Sequence, residues 1–178
     1  MFLPYKVDVP MARWPWANWV LIGLTIVISV AMFGPLTDWS NQAEGAALLR
    51  ALGGHVTLPA AEGPLHYFLL QPGHFHPAQL VGNLFIHAGW LHLAGNMLFL
   101  WVFGNAVNAK LGQWQYVALY LGIGVLESMV WMIAGPGMPS LGASGAIMGI
   151  VGAFLLVYPL NDVSMLFTLF YFFRVVRF

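Results

Sequence analysis

No cysteine occurs in the 178 residues, so the chain has no disulfide, no thiolate nucleophile and no thiolate metal ligand. Charge is nearly as scarce. Asp, Glu, Lys and Arg together make up 7% of the residues, against about 25% in soluble domains, which excludes an ordinary soluble fold. The six acids balance the six Lys and Arg, and with no basic excess no nucleic-acid partner is implied. Histidine is missing after position 92: all six histidines lie at or before His92. No cleavable leader is expected either. The first apolar run is too long for a signal-peptide core and has no convincing cleavage site, so it reads as a retained helix.

What the chain has in quantity is apolar surface. Hydrophobic residues make up 60%, and the mean hydropathy is +0.79. The class that follows is an all-α, polytopic transmembrane helical bundle. Residues 1–13 form a short tail with Lys6, Asp8 and Arg13. From Trp14 to Thr37 there is no charge, a run long enough to cross a bilayer, which takes about 20 residues. Trp14, Trp16 and Trp19 stand at its start, where aromatic belts sit. Gly34-Pro35 is expected to end this helix. Residues 38–77 then form a long connection on the outer side. Asn41–Leu52 is a candidate amphipathic helix stopped by Gly53-Gly54, and Pro59, Pro64, Pro72 and Pro77 argue against continuous helix beyond it. A connection this long usually has a job or is disordered, and its apolar content places it against the membrane.

The remaining spans are expected at about 88–104, 114–134 and 143–158, which with about 15–34 gives four. Gly104–Gln113 reads as a polar turn, Gly135-Pro136-Gly137-Met138-Pro139 as a hard break, and Asn161-Asp162 as a turn. Val163–Phe173 is apolar but too short to span. With the amino terminus in the cytoplasm, Lys6, Arg13, Lys110, Arg174 and Arg177 fall inside and only Arg50 outside, the positive-inside pattern. That topology puts Ser144 and the 38–77 connection on the outer side.

Ser144 sits in Leu141-Gly142-Ala143-Ser144-Gly145-Ala146-Ile147-Met148-Gly149, at the mouth of an apolar helix. The glycines alone favour a packing role, because Gly145, Gly149 and Gly152 form a small-residue face. The other reading is a nucleophile: Gly142 and Gly145 permit a tight backbone, and free N–H groups at a helix start can hold an oxyanion. His92 and Asn96, four apart, share a helix face in an otherwise apolar block, and His87 lies at that helix's entrance. A polar pair in hydrocarbon is costly and tends to be functional; both side chains can donate to a developing oxyanion. A metal site built on His87 and His92, or on His74 and His76, lacks further strong ligands at useful spacing, and no metal or cofactor is expected. Glu127, at mid-helix, is either a protonated acid bonded to a neighbouring helix or an ion site.

His87-Ala88-Gly89-Trp90-Leu91-His92-Leu93-Ala94-Gly95-Asn96-Met97, followed by Gly142-Ala143-Ser144-Gly145, resembles the rhomboid family of intramembrane serine proteases. The resemblance continues through Phe99–Gly104, Lys110-Leu111-Gly112 and Tyr158-Pro159, over about residues 77–178. It implies Ser144 as nucleophile, His92 and Asn96 as oxyanion donors beside the Ser144 N–H, His87 as a structural histidine, and Gly142 and Gly145 as motif glycines. It also implies that 38–77 is the family's first outer loop, although no clear Trp-Arg pair is present there. Rhomboids activate the serine with a histidine on the sixth helix, in an Ala-His-x-x-Gly setting, and no histidine follows Ser144 here. The ending resembles the segment before the family's fifth helix. The expectation is therefore a rhomboid-like membrane domain over 14–178, incomplete at its carboxyl end and inactive by itself.

The function expected is cleavage of transmembrane protein substrates near the outer face of the bilayer. The competing readings are a non-catalytic rhomboid-like protein that binds client helices, and a small transporter using Glu127. The latter should show internal symmetry, which the sequence lacks. The expected setting is an integral multi-pass protein of a bacterial inner membrane, its partners being lipid and substrate helices. The oligomeric state is not set by the sequence.

Overall fold

The computed structural model of the protein describes residues 2–10, 12–51, 58–169 and 172–177. Strand β1 (Phe2–Val7) is followed by the long helix α1 (Trp16–Ala51). Two 3-10 turns, Gly63–Tyr67 and Pro72–His74, lead to the single turn α2 (Gln79–Gly82) and a further 3-10 turn at Asn83–Phe85. Helix α3 (Trp90–Phe99) passes through a π-turn at Leu100–Gly104 into α4 (Asn105–Leu111). Helix α5 spans Gln113–Ala134, α6 Ser144–Val157, and strands β2 (Val163–Leu169) and β3 (Phe172–Arg177) close the chain.

Three of these segments are long and apolar enough to cross a membrane: Trp16–Ala47, Trp90–Leu111 and Gln113–Ala134. The fourth expected span, α6, has 14 residues. At 1.5 Å per residue it reaches about 21 Å, short of a hydrocarbon core of about 30 Å.

Two helix boundaries differ from the sequence expectation. Helix α1 does not stop at Gly34-Pro35 but continues to Ala51 through that proline. Proline removes one N–H from the ladder, the one that would have bonded the Ala31 carbonyl. The turns after it carry extra bonds: the Thr37 hydroxyl donates to the Phe33 carbonyl at 2.8 Å and the Ser40 hydroxyl to the Thr37 carbonyl at 2.9 Å. The separate helix expected from Asn41 is therefore the end of α1, while its expected stop at Gly53-Gly54 lies outside the described residues. Nor is Gly104–Gln113 a polar turn; α4 carries the helix to Leu111. The break comes at Gly112, whose φ of +95° closes α4.

The chain also adds a little sheet to the helical bundle. β1 pairs antiparallel with β2, and β2 with β3, in the order β1-β2-β3. Of the run expected to be too short to span, Val163–Leu169 forms β2 and Phe172 and Phe173 open β3, where β-branched and aromatic residues favour extended backbone.

Contacts divide the chain into two compact units. The first comprises 1–24, 94–123 and 144–178. Its core includes Phe103 against Phe154, ring centroids 5.1 Å apart, with Leu100, Val107, Ile147 and Ile150 buried. Within it a polar knot centres on the fully buried Asn18. The Asn18 amide donates to the Leu100 carbonyl and to Asn105 Oδ1, both at 2.8 Å, and its backbone N–H donates to Asn108 Oδ1. The Tyr116 hydroxyl donates to Asn18 Oδ1. Leu100 also accepts the Asn105 N–H, five residues on, so the π-turn and the knot share one carbonyl. A Cβ at Gly104 would come within 2.5 Å of Asn18 Oδ1, which is why a glycine closes this turn.

The second unit comprises 25–93 and 124–143. Leu36, Ala61, Leu65, Leu69 and Ile86 form its core, flanked by Ile28, Met32, Trp39, Phe68 and Leu141. Two buried glutamines organise the segment after α1. Gln79 donates to the carbonyls of His66 (2.9 Å) and His74 (3.0 Å) and accepts the Gln71 N–H. Gln71 donates to the Pro59 carbonyl and accepts the Ala61 N–H. Trp39 Nε1 also donates to Pro59.

Candidate active site

The break between α5 and α6 is stitched down at three places in the second unit. Leu70 and Ser140 exchange backbone hydrogen bonds of 2.9 and 3.1 Å. The Gly142 N–H donates to the Asn83 carbonyl at 2.8 Å. The Ala143 N–H points at His87 Nε2, 3.4 Å away. Asn83 is itself held, donating to the Gln79 carbonyl (2.7 Å) and to Ser128 Oγ (2.8 Å).

Gly142 has φ +110°, a conformation that side-chain-bearing residues rarely adopt. The space is also closed. A Cβ there would lie 2.9 Å from His92 Cε1 and 3.2 Å from His92 Nε2, with His87 Cδ2 at 3.8 Å. The two histidine rings pack edge to face, centroids 5.0 Å apart. Gly142, His87 and His92 are thus gathered at one place, and the glycine is what lets the loop lie on the rings.

His87 is fully buried in the extended link before α3. Its Nδ1 lies 3.0 Å from Ser29 Oγ, and Ser29 Oγ lies 2.9 Å from the Phe85 carbonyl. A carbonyl only accepts, so the single Ser29 proton goes to Phe85 and the His87 proton sits on Nδ1. Nε2 then carries the lone pair that faces the Ala143 N–H. Burial, and secondarily the neighbouring His92, lower the His87 pKa from 6.5 to about 4, so the ring is neutral at physiological pH.

His92 occupies the first turn of α3 and Asn96 the next; His92 is half-buried and Asn96 is 8% exposed. Ser144 opens α6, with its side chain exposed, and Gly145 behind it is half-buried. Ser144, Gly145 and Asn96 fall in the first unit, His87, His92 and Gly142 in the second.

Glu127 lies in α5 between exposed Leu126 and buried Ser128, and is itself half-buried. Of the loop histidines, His76 accepts the Ala78 N–H on Nδ1, and its ring lies 5.4 Å from that of His66. Among the described residues no three His, Asp or Glu side chains converge as metal ligands. Ser29 is the residue that sequence reasoning missed. It is one small hydroxyl in a long apolar run, and no spacing ties it to His87.

A model of the Rhomboid domain matches residues 74–177, more than half of the chain. The presenilin-associated rhomboid-like protein, mitochondrial, of Mus musculus is 38% identical over 89 residues, covering 48% of this chain and 24% of that protein. Rhomboid protein 1, mitochondrial, of Saccharomyces cerevisiae is 35% identical over 103 residues, covering 52% and 29%. The rhomboid protease GluP of Bacillus subtilis is 40% identical over 79 residues, covering 44% and 15%. The chain thus spans less than a third of the length of these relatives. No solved structure matches it. Two of the three relatives carry mitochondrial names, so the expectation of a bacterial inner membrane finds no support.

Proposed function

Because this chain belongs to the rhomboid family, a family of membrane proteins, we propose that it carries the nucleophile and the oxyanion donors of an intramembrane serine endopeptidase. Ser144 Oγ attacks the carbonyl carbon of a substrate peptide bond near the outer face of the bilayer. The carbonyl oxygen takes the negative charge and is received by the side chains of His92 and Asn96 and by the Ser144 N–H. The C–N bond then breaks, the departing amine takes up the proton that Ser144 Oγ gave up on attack, and water hydrolyses the resulting ester to restore Ser144. The first N–H groups of α6 have no partner inside the helix, which suits them to a developing anion. Transmembrane protein segments are the substrates.

The observation that carries this reading is the loop before Ser144. Gly142 is held at positive φ against the rings of His87 and His92, and the serine follows two residues later at a helix start. A serine used only for packing needs no such preparation. The rhomboid protease GluP of Bacillus subtilis supports the same reading as a relative named for proteolysis.

A serine hydroxyl is a weak nucleophile without a base, and no histidine follows Ser144 in these 178 residues. The second reading is a non-catalytic protein that holds client helices. A serine-directed phosphonate probe applied to the full-length protein decides between them. Labelling that vanishes in Ser144→Ala, and slows roughly 10²–10³-fold when His92 or Asn96 is replaced by Ala, is expected of the protease. No labelling, with client helices still captured, would leave the binder.

A further inference from the structure

We propose that Ser29 is a positioning residue for the nucleophile loop: by accepting a hydrogen bond from His87 Nδ1, it fixes the imidazole tautomer whose Nε2 receives the Ala143 N–H. The role in catalysis rests on the reading of Ser144 as nucleophile; the hydrogen-bond relay stands on geometry alone.

The relay has a direction. Ser29 donates its single proton to the Phe85 carbonyl at 2.9 Å. Its oxygen can then only accept from the ring nitrogen 3.0 Å away, so Nδ1 bears the proton. Nε2 is left as an acceptor, facing the Ala143 N–H at 3.4 Å. The opposite tautomer would set an N–H against an N–H and leave a buried amide without a partner, which is costly. Ser29 and His87 are both fully buried, so no bulk water substitutes for either bond. Ser29 lies on α1, 58 residues from His87 and far from the motif in sequence. Ala143 is the residue immediately before Ser144, so slack in its N–H bond passes into the backbone that carries the nucleophile. The Gly142 N–H, held by Asn83, fixes where the loop begins, and His87 fixes how it enters α6.

The test uses the full-length protein in lipid nanodiscs with ¹⁵N-labelled histidine. Long-range ¹⁵N–¹H correlation spectra distinguish the two neutral tautomers, and amide exchange reports on the Ala143 N–H. The native protein should show His87 with its proton on Nδ1 and a protected Ala143 amide. Ser29→Ala should mix the tautomers, speed exchange at Ala143 and lower kcat roughly tenfold to a hundredfold, the scale of losses from small misplacements, with KM unchanged. Ser29→Thr, which keeps the hydroxyl, should restore all three.

His87→Gln supplies the discriminating background. Glutamine can reach Ala143 in place of Nε2 but cannot reach Ser29, so in that background Ser29→Ala should have no further effect on Ala143 exchange or on rate. An equal loss in both backgrounds would show that Ser29 acts only through Phe85, and would overturn the proposal. So would a native His87 protonated on Nε2. If Ser29→Ala fails to fold, the native tautomer and the Ser29→Thr exchange rate decide. Probe labelling that survives Ser144→Ala would overturn the nucleophile reading, while the tautomer and the Ala143 exchange still decide the loop anchor by themselves.

Discussion

At Gly142 the absence of one methyl group keeps the loop on the histidines. Alanine there would meet both a strained φ of +110° and a ring atom of His92 at 2.9 Å. Gly142→Ala should therefore cost about 1–3 kcal/mol of stability and slow the reaction of Ser144 with a phosphonate; an unchanged unfolding midpoint would refute the strain argument. His87 gives a second prediction. Its folded pKa, about 4, lies below the ordinary 6.5. The unfolded chain then binds the proton more readily than the folded one, and stability rises with pH across that interval. The contribution is complete above about pH 6.5 and is lost as the pH falls towards 4, by up to about 3 kcal/mol. His92 is the titratable side chain packed against the ring. Denaturant midpoints measured from pH 7 to 4 should fall in the native protein and fall less in His87→Gln. The residues legible in the sequence were those whose chemistry is out of place in hydrocarbon: His87, His92, Asn96, and a serine between glycines. Ser29 was not legible, because a hydroxyl is cheap to place in a membrane helix and only its partner gives it meaning.

Helices show where local rules stop applying. A Gly-Pro pair normally ends a helix in water, and by that rule α1 was expected to stop at Pro35. In lipid, leaving the helix would unpair many backbone groups where proline unpairs one, and α1 runs on to Ala51. The π-turn at Leu100–Gly104 was invisible for a different reason. Its sequence is plainly helical and apolar, and the extra residue is accommodated by Asn18, more than eighty positions away. Asn18→Leu should expose this dependence. It strands Asn105 Oδ1 and the Tyr116 hydroxyl and takes one of two donors from the Leu100 carbonyl, at about 1–3 kcal/mol for each group left unsatisfied. Tyr116→Phe removes a single bond and should cost less. Thermal unfolding of the two variants in one detergent checks the ranking, and the reverse order would show that the knot is not centred on Asn18.

For the whole molecule the expectation was a helical membrane protein, and the family and the apolar helices support that. The expected topology, with the amino terminus in the cytoplasm and five of six Lys and Arg on that side, rests on charge placement alone. A chain without cysteine is a convenient background for testing it. Single cysteines at Lys6 or Lys110 should react with an impermeant maleimide only after the membrane is opened, whereas one at Glu62 should react from outside. Reaction of Lys6→Cys in sealed, right-side-out vesicles would invert the topology. Glu127 belongs at this scale too, since an ion pathway would require its charge. Glu127→Gln should leave folding within about 0.5 kcal/mol, as for substitutions away from buried networks, and a large loss would reopen the ion-site reading.

Among the described residues, the anchors of the loop before Ser144 precede it in the chain: Ser29, Leu70, Asn83 and His87 all leave the ribosome before Gly142 does. Chains are made from the amino terminus onward and their parts begin to fold in that order. The surface that shapes the loop can be in place before the serine has been polymerised. Synthesis itself thus provides a timetable in which the template comes first and the reactive hydroxyl is delivered onto it last.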